Sequence, residues 1–178
     1  MAISVRRADE ADIPAIQGIG LLTWPATYLP FTSPGFVLAN LNSWWTEEAV
    51  RQTVEEDLTF VACVGEKVLG TLTLGEFEGE AVIWKIYVLP EAQGKRIGLA
   101  LMNTALQHVG DRHDVRLEFV KGNEHAQGFY ESAGFTFDFE EDPGDGSTTV
   151  WMRRKAPAPV SSISQIPARR MVEQSIRD

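Results

Sequence analysis

The stretch Ile86-Tyr87-Val88-Leu89-Pro90-Glu91-Ala92-Gln93-Gly94-Lys95-Arg96-Ile97-Gly98-Leu99 reads as a strand, a turn, a glycine-bearing loop and the start of a helix. Such a junction has a chemistry of its own. N–H groups of the loop and of the first helical turn lack intrahelical acceptors and point the same way, and the helix dipole adds partial positive charge. Glycines let the main chain approach an anion closely, and Lys95 and Arg96 bring full charges. The arrangement predicts a phosphate or pyrophosphate site. A P-loop would need Ser or Thr after its Gly-Lys pair, and Arg96 stands there instead. A dinucleotide fold would place the loop after the first strand of a parallel β-α-β unit, whereas this one follows an antiparallel meander. The remaining competitor is a turn that the glycines merely shape.

Other reactive residue types offer less. The single cysteine, Cys63, excludes an intramolecular disulfide and a cysteine-cluster metal site, and its apolar neighbours Phe60-Val61-Ala62 and Val64 read as a strand that buries it. His108, His113 and His125 are not at ligand spacing, so no metal is expected.

The loop gains meaning from a second segment, Asn123-Glu124-His125-Ala126-Gln127-Gly128-Phe129-Tyr130-Glu131-Ser132-Ala133-Gly134-Phe135. Together the two resemble the GNAT superfamily of CoA-dependent N-acyltransferases. That superfamily carries Gln/Arg-x-x-Gly-x-Gly/Ala after an Ile-Tyr-Val-x-Pro strand, followed by Asn-x-x-Ala-x-x-Phe-Tyr-x-x-x-Gly-Phe. Both signatures occur here in order and at the usual separation, and the resemblance covers roughly residues 3–154. One position departs: the middle glycine of the first signature is Arg96, which a negative φ would accommodate.

What the resemblance implies can be stated residue by residue. Acetyl-CoA is the cosubstrate, with Gln93, Gly94, Lys95, Arg96, Ile97, Gly98 and Leu99 around its pyrophosphate. Main-chain groups of Ile86, Tyr87 and Val88, with Asn123, hold the pantetheine arm, and the Val88 N–H serves a developing oxyanion. Tyr130 is the general acid beside the sulfur. Many relatives carry a glutamate two residues before Ile-Tyr-Val, where this chain has Trp84. Strand alternation puts Glu80 on the face of Trp84 and makes it the nearest carboxylate able to act as base; Glu118 is the other candidate. Trp24, Tyr28 and Trp84 are expected at the acceptor, a primary amine and by preference a small cationic one that aromatic faces can hold. Acetylation of a protein amine, or a non-catalytic acyl-CoA-binding module, are the competing readings. Phe129 and Phe135 read as core.

The elements that must position these residues follow from patterning. Ile3–Arg7 is a short strand, and Asp9 with Asp12 opens a helix carrying Ala11, Ile13, Ile16 and Ile19 on one stripe. Residues 24–42, rich in Pro, Thr and aromatics, suggest an irregular helical region. Thr46 caps a helix to about Glu56. Runs 59–64, 67–77 and 81–88 form an antiparallel meander, Ile97–Val109 has helical spacing, 115–120 is a strand, 126–132 a short helix, and 135–139 with 148–152 a final pair of strands. The fold expected from the resemblance is α+β: a mixed, mostly antiparallel sheet of about seven strands, helices on both faces, splayed between strands 4 and 5. The catalytic domain is expected over residues 1–154 and a flexible tail over 155–178, where Ala-Pro-Ala-Pro opens the segment.

Charge narrows the partners. The chain of 178 residues carries −9 overall; four basic and two acidic residues lie beyond 154, leaving 12 basic against 23 acidic before it. Such a surface repels nucleic acid and anionic lipid and suits a cationic substrate. No apolar run reaches bilayer length and the first residues do not form a signal peptide, so a cytoplasmic location is the expectation. Relatives suggest a homodimer.

Overall fold

The computed structural model describes residues 2–157; most of the expected tail lies outside them. Seven strands form one sheet: β1 (Ser4–Arg7), β2 (Leu58–Val64), β3 (Lys67–Phe77), β4 (Glu80–Val88), β5 (Val115–Val120), β6 (Thr136–Glu141) and β7 (Thr149–Arg154). Their spatial order is β1-β2-β3-β4-β5-β7-β6. Only β4 and β5 run parallel, and the mixed, mostly antiparallel sheet matches the expectation. Five helices cover it: α1 (Ile13–Tyr28), α2 (Pro34–Trp44), α3 (Glu47–Glu56), α4 (Ile97–Val109) and α5 (Glu124–Ser132).

Helix starts follow local side-chain chemistry. Asp9 and Asp12 form a reciprocal capping box that closes one 3-10 turn leading straight into α1. The buried Asp12 carboxylate also takes two bonds from Arg6, at 2.7 and 2.8 Å, which tie β1 to this turn. Ser33, Thr46 and Asn123 accept the Phe36, Ala49 and Ala126 N–H groups and so begin α2, α3 and α5. The region expected to be irregular is instead regular: α1 runs through Pro25 to Tyr28, and α2 follows. A proline inside a helix costs about 3 kcal/mol. Here Trp24 and Tyr28, both buried, pack their rings 4.3 Å apart beside it and hold the turn helical.

Both faces of the central strands are covered, which is why β2 reads as an unbroken apolar run. Phe60 and Ala62 join a cluster with α4, α5 and Leu72, Ile83, Leu117 and Met152. Val61 and Cys63 join the cluster of α1, α2 and α3 around Trp45. Cys63 is buried and free, as expected of a packing residue. Among the described residues no helix is long and apolar enough to cross a membrane.

Two irregularities of the sheet create the site. β4 and β5 are in register only at Ala81–Val115, Val82–Arg116 and Ile83–Leu117; beyond Ile83 they part. On the other side of β4, Leu74 pairs with Ile83 and Thr73 with Lys85, so Trp84 has no partner and forms a bulge.

Candidate active site

Where β4 and β5 separate, a cleft of about 680 Å³ passes between the strands. The Gln93–Leu99 loop, Phe129 and Tyr130 wall it at one end, and Thr23, Thr27, Tyr28, Trp84 and Glu118 at the other.

The loop end is built from main chain. Gly94 has φ +74° and Arg96 φ +63°, two left-handed residues that swing the chain so that α4 begins facing the cleft. A negative φ at Arg96, the condition expected for a side chain there, is therefore not what the structure has. Arg96 precedes α4 without capping it through its side chain. The first helical bond is Ala100 N–H to Arg96 C=O at 3.0 Å, so the Ile97, Gly98 and Leu99 amides remain available to an anion. A Cβ on Gly98 would lie 3.5 Å from Phe129, ordinary contact, so the protein's own packing does not demand glycine there. Lys95 turns away: its Nζ donates to the Glu91 carbonyl at 2.8 Å, and it does not line the cleft.

The strand end is equally available. Leu89 N–H donates to Leu69 C=O across the β3 edge, so alternation turns the Val88 and Ile86 N–H and C=O groups toward the missing β5 partner. Gln93 Nε2 meets Val88 C=O at 3.3 Å and spans the mouth of the gap. Asn123, expected at the pantetheine arm, both caps α5 and lines the cleft.

Tyr130 is held by the rings of Phe119, Phe129 and Phe135, with centroids 5.6 to 6.3 Å away. Burial and the neighbouring Tyr28 push its hydroxyl well above the ordinary tyrosine range, so it is a protonated donor at neutral pH. Glu118 stands across the cleft on β5, its carboxyl raised by burial and then by Glu141.

Glu80 is not in this cleft. It sits at the opposite end of β4, where its carboxylate meets Arg116 Nε at 2.6 Å and Arg153 Nη1 at 2.7 Å, with Asp114 and Asp138 completing the network. It lines a separate depression of about 770 Å³ at the foot of the sheet. It does share a face with Trp84, whose ring packs edge-on against Phe77, the cross-strand partner of Glu80, but it lies four residues down the strand and two guanidinium groups claim it. Glu118 pairs with neither nearby cation: Arg116 goes to Glu80, and Lys85 donates to Trp44 C=O over the Trp45 ring.

At the acceptor end Trp84 and Tyr28 line the cleft, while Trp24 lies behind, its ring tilted against Tyr28 and 6.3 Å from the Tyr87 ring. Sequence reasoning missed Thr23. Its spacing of four from Thr27 puts both on one side of α1, the signal that would have found it. Among the described residues no group of His, Cys, Asp and Glu side chains is placed to hold a metal ion.

Residues 20–135 match the model of the acetyltransferase (GNAT) family. The chain belongs to the GNAT acetyltransferase family. Solved GNAT structures share its fold. The PaiA N-acetyltransferase of Thermoplasma acidophilum, determined in complex with coenzyme A, superposes with a TM-score of 0.74 at 21% identity over 87% of this chain and 99% of that one. A GCN5-related N-acetyltransferase of Rhodopseudomonas palustris gives 0.74 at 17% identity, over 87% and 98%. The ribosomal-protein-S18-alanine N-acetyltransferase of Escherichia coli gives 0.65 at 18%, over 91% and 99%. No curated protein sequence matches. The GNAT assignment makes the chain an N-acetyltransferase.

Proposed function

We propose that the protein moves an acetyl group from acetyl-CoA to a primary amine, by preference a small cationic one, by direct attack through a tetrahedral intermediate. The observation that carries this is the cleft itself. It crosses the sheet, so a thioester entering from the α4 side and an amine from the α1 side meet between Glu118 and Tyr130.

Amides of Ile97, Gly98 and Leu99 hold the pyrophosphate, with Gly94 and Arg96 shaping the loop. Gln93 guards the mouth of the gap, and Lys95 contributes charge from outside it. Ile86 and Val88 offer main-chain groups to the pantetheine arm in the manner of an added strand, flanked by Tyr87 and Asn123. The Val88 N–H faces the developing oxyanion. Glu118 takes the amine proton in place of Glu80, and Tyr130 protonates the departing sulfur. Trp84 and Tyr28 form the walls around the acceptor, and Trp24 supports them from behind. The excess of carboxylates and the cytoplasmic setting read from the sequence agree with a cationic metabolite, and catalysis needs no metal.

Thiol release from acetyl-CoA with a panel of polyamines and aminoglycosides tests the reading. Glu118→Gln should lower kcat/KM by about 100-fold or more while coenzyme A affinity is kept, and Tyr130→Phe should lower kcat by a smaller factor. Glu118 works as a carboxylate, and burial raises its pKa. Activity should therefore rise with pH through an inflection above the ordinary carboxylate range, and that inflection should vanish in Glu118→Gln. Coenzyme A binding without acetylation of any amine would support the non-catalytic module instead.

A further inference from the structure

Between Asp12 and Glu47 the sequence has no aspartate, glutamate, lysine, arginine or histidine. The stretch spans α1 and α2, and every charge of a chain carrying −9 lies outside it. Of the ten large hydrophobic side chains that stand exposed among the described residues, six belong here: Leu21, Leu22, Leu29, Phe31, Leu38 and Trp44, at 36% to 59%. The next helix, α3, shows the contrast, since it turns Glu47, Glu48, Glu55 and Glu56 to solvent.

A helix that is apolar all round is normally buried all round, and α1 is apolar on both sides. One side carries Ile16, Ile19, Trp24 and Tyr28 into the core. Leu22, Pro25 and Leu29, three and four residues apart, line the other, with Leu21 and Ala26 beside them. Polar side chains of the stretch do not relieve this. Thr32, Asn40 and Ser43 donate to the carbonyls of Tyr28, Phe36 and Ala39, so a donor of each is turned to the backbone. Six exposed residues of roughly 200 Å² each, about half uncovered, offer on the order of 600 Å². A stable interface takes about 800 Å² per partner, and Pro25, Ala26 and Ala39 supply the margin.

We infer that this face is the contact between two copies of the chain, an isologous dimer in which the outer side of α1 and Leu38 of α2 meet their symmetry mates. Charge selects that occupant. Two copies at −9 repel each other over the rest of their surface, and only here can they approach with no charge desolvated. A partner with charged residues in its contact would bury them unpaired against α1. Helices that lie on a bilayer carry Lys and Arg along a polar side, and α1 has neither. A second copy meets the uncharged face with the same uncharged face. The opposite side of α1 brings Thr23, Thr27 and Tyr28 to the cleft, so the pairing braces the acceptor wall from behind. The contact itself does not depend on the transferase reading.

Sedimentation velocity of the full chain decides it. The wild type should run as a species of twice 19.8 kDa. Leu22→Glu and Leu38→Glu, both at exposed positions outside the core, should each weaken the dimer by about 100-fold or more. Circular dichroism and the coenzyme A thermal shift should stay as in the wild type. Phe137→Glu puts the same charge on an exposed side chain of β6 and should leave the dimer intact. Should Leu22→Glu misfold, Leu22→Gln makes the same test with no charge added and should weaken the dimer by about tenfold. A wild type that stays monomeric at high micromolar concentration overturns the inference, and so does a dimer that survives both glutamate variants or that Phe137→Glu dissolves. A monomer that floats with phosphatidylcholine vesicles overturns it in favour of a lipid surface. A dimer lost in Leu22→Glu, in a protein that neither binds coenzyme A nor acetylates an amine, would count against the transferase reading and leave the contact standing.

Discussion

Arg96 shows how much one residue can hide. Its left-handed φ of +63° is unusual for a side chain that gains nothing by capping the helix, and this conformation costs an L-residue about 1–2 kcal/mol. Arg96→Gly should therefore raise the urea midpoint by the equivalent of about 1 kcal/mol. If the guanidinium contributes to pyrophosphate binding, as its place on the cleft suggests, calorimetry of the same variant should show weaker coenzyme A affinity. The loop's purpose was legible from glycine spacing and the two signatures, while the sign of φ at 96 was not, because arginine gives no hint of it. Glu80 and Glu118 teach the same lesson in reverse. Strand alternation put Glu80 on the face of Trp84 but says nothing of height along the strand, and it is height that leaves Glu80 with Arg116 and Arg153 at the foot of the sheet while Glu118 lines the cleft. Lys85 supplies a further test. Burial lowers its ammonium from 10.5 to about 8, against the attraction of Asp57. Between pH 8 and 10.5 the unfolded chain keeps this proton and the folded chain releases it, so stability should rise with pH across that window. Denaturation midpoints should show the rise in the wild type and lose it in Lys85→Met.

At the scale of elements, α1 is fastened by the absence of a side chain. A Cβ on Gly20 would fall 1.9 Å from the Trp45 ring, whereas one on Gly18 would meet nothing within 4 Å. Gly20→Ala should cost about 2–3 kcal/mol through overpacking, and Gly18→Ala should gain about 0.5–1 kcal/mol through helix propensity; thermal melts of the two variants should move in opposite directions. The opposite end of the sheet is fastened by charge. Arg153 and Arg116 bind Glu80 on β4, Asp114 before β5 and Asp138 on β6, drawing four strands together below the point where β4 and β5 part. Arg153→Met should cost about 1–3 kcal/mol by leaving these carboxylates unpaired, and chemical denaturation measures it. Strands and caps were readable because their signals are local: alternation, a turn, a Thr or Asn before a helix. The course of α1 through Pro25 was not, since what holds it is Trp24 and Tyr28 packing against α2 and β4, a tertiary effect that outweighs the proline.

For the whole molecule, the family and the fold were legible before any coordinate, because two signatures at fixed separation demand one strand–loop–helix and one further helix on the same side of a sheet. The acceptor end was less so. Thr23, Thr27, Tyr28, Trp84 and Glu118 come from three elements, and no linear pattern announces that they meet. Coenzyme A at about 100 times its Kd should add about 2.7 kcal/mol of stability, seen as a rise of roughly 5–10 °C in the melting temperature. The parting of β4 from β5 has a kinetic counterpart. Where the strands diverge, the Ile86 and Val88 amides have no carbonyl across from them, while neighbouring Leu89 is tied to Leu69. In deuterated solvent these two amides should exchange quickly amid slow neighbours, a soft line down an otherwise rigid sheet. A bound pantetheine arm would then act as a zip, and its signature would be deuterium uptake slowed at alternate positions of one strand.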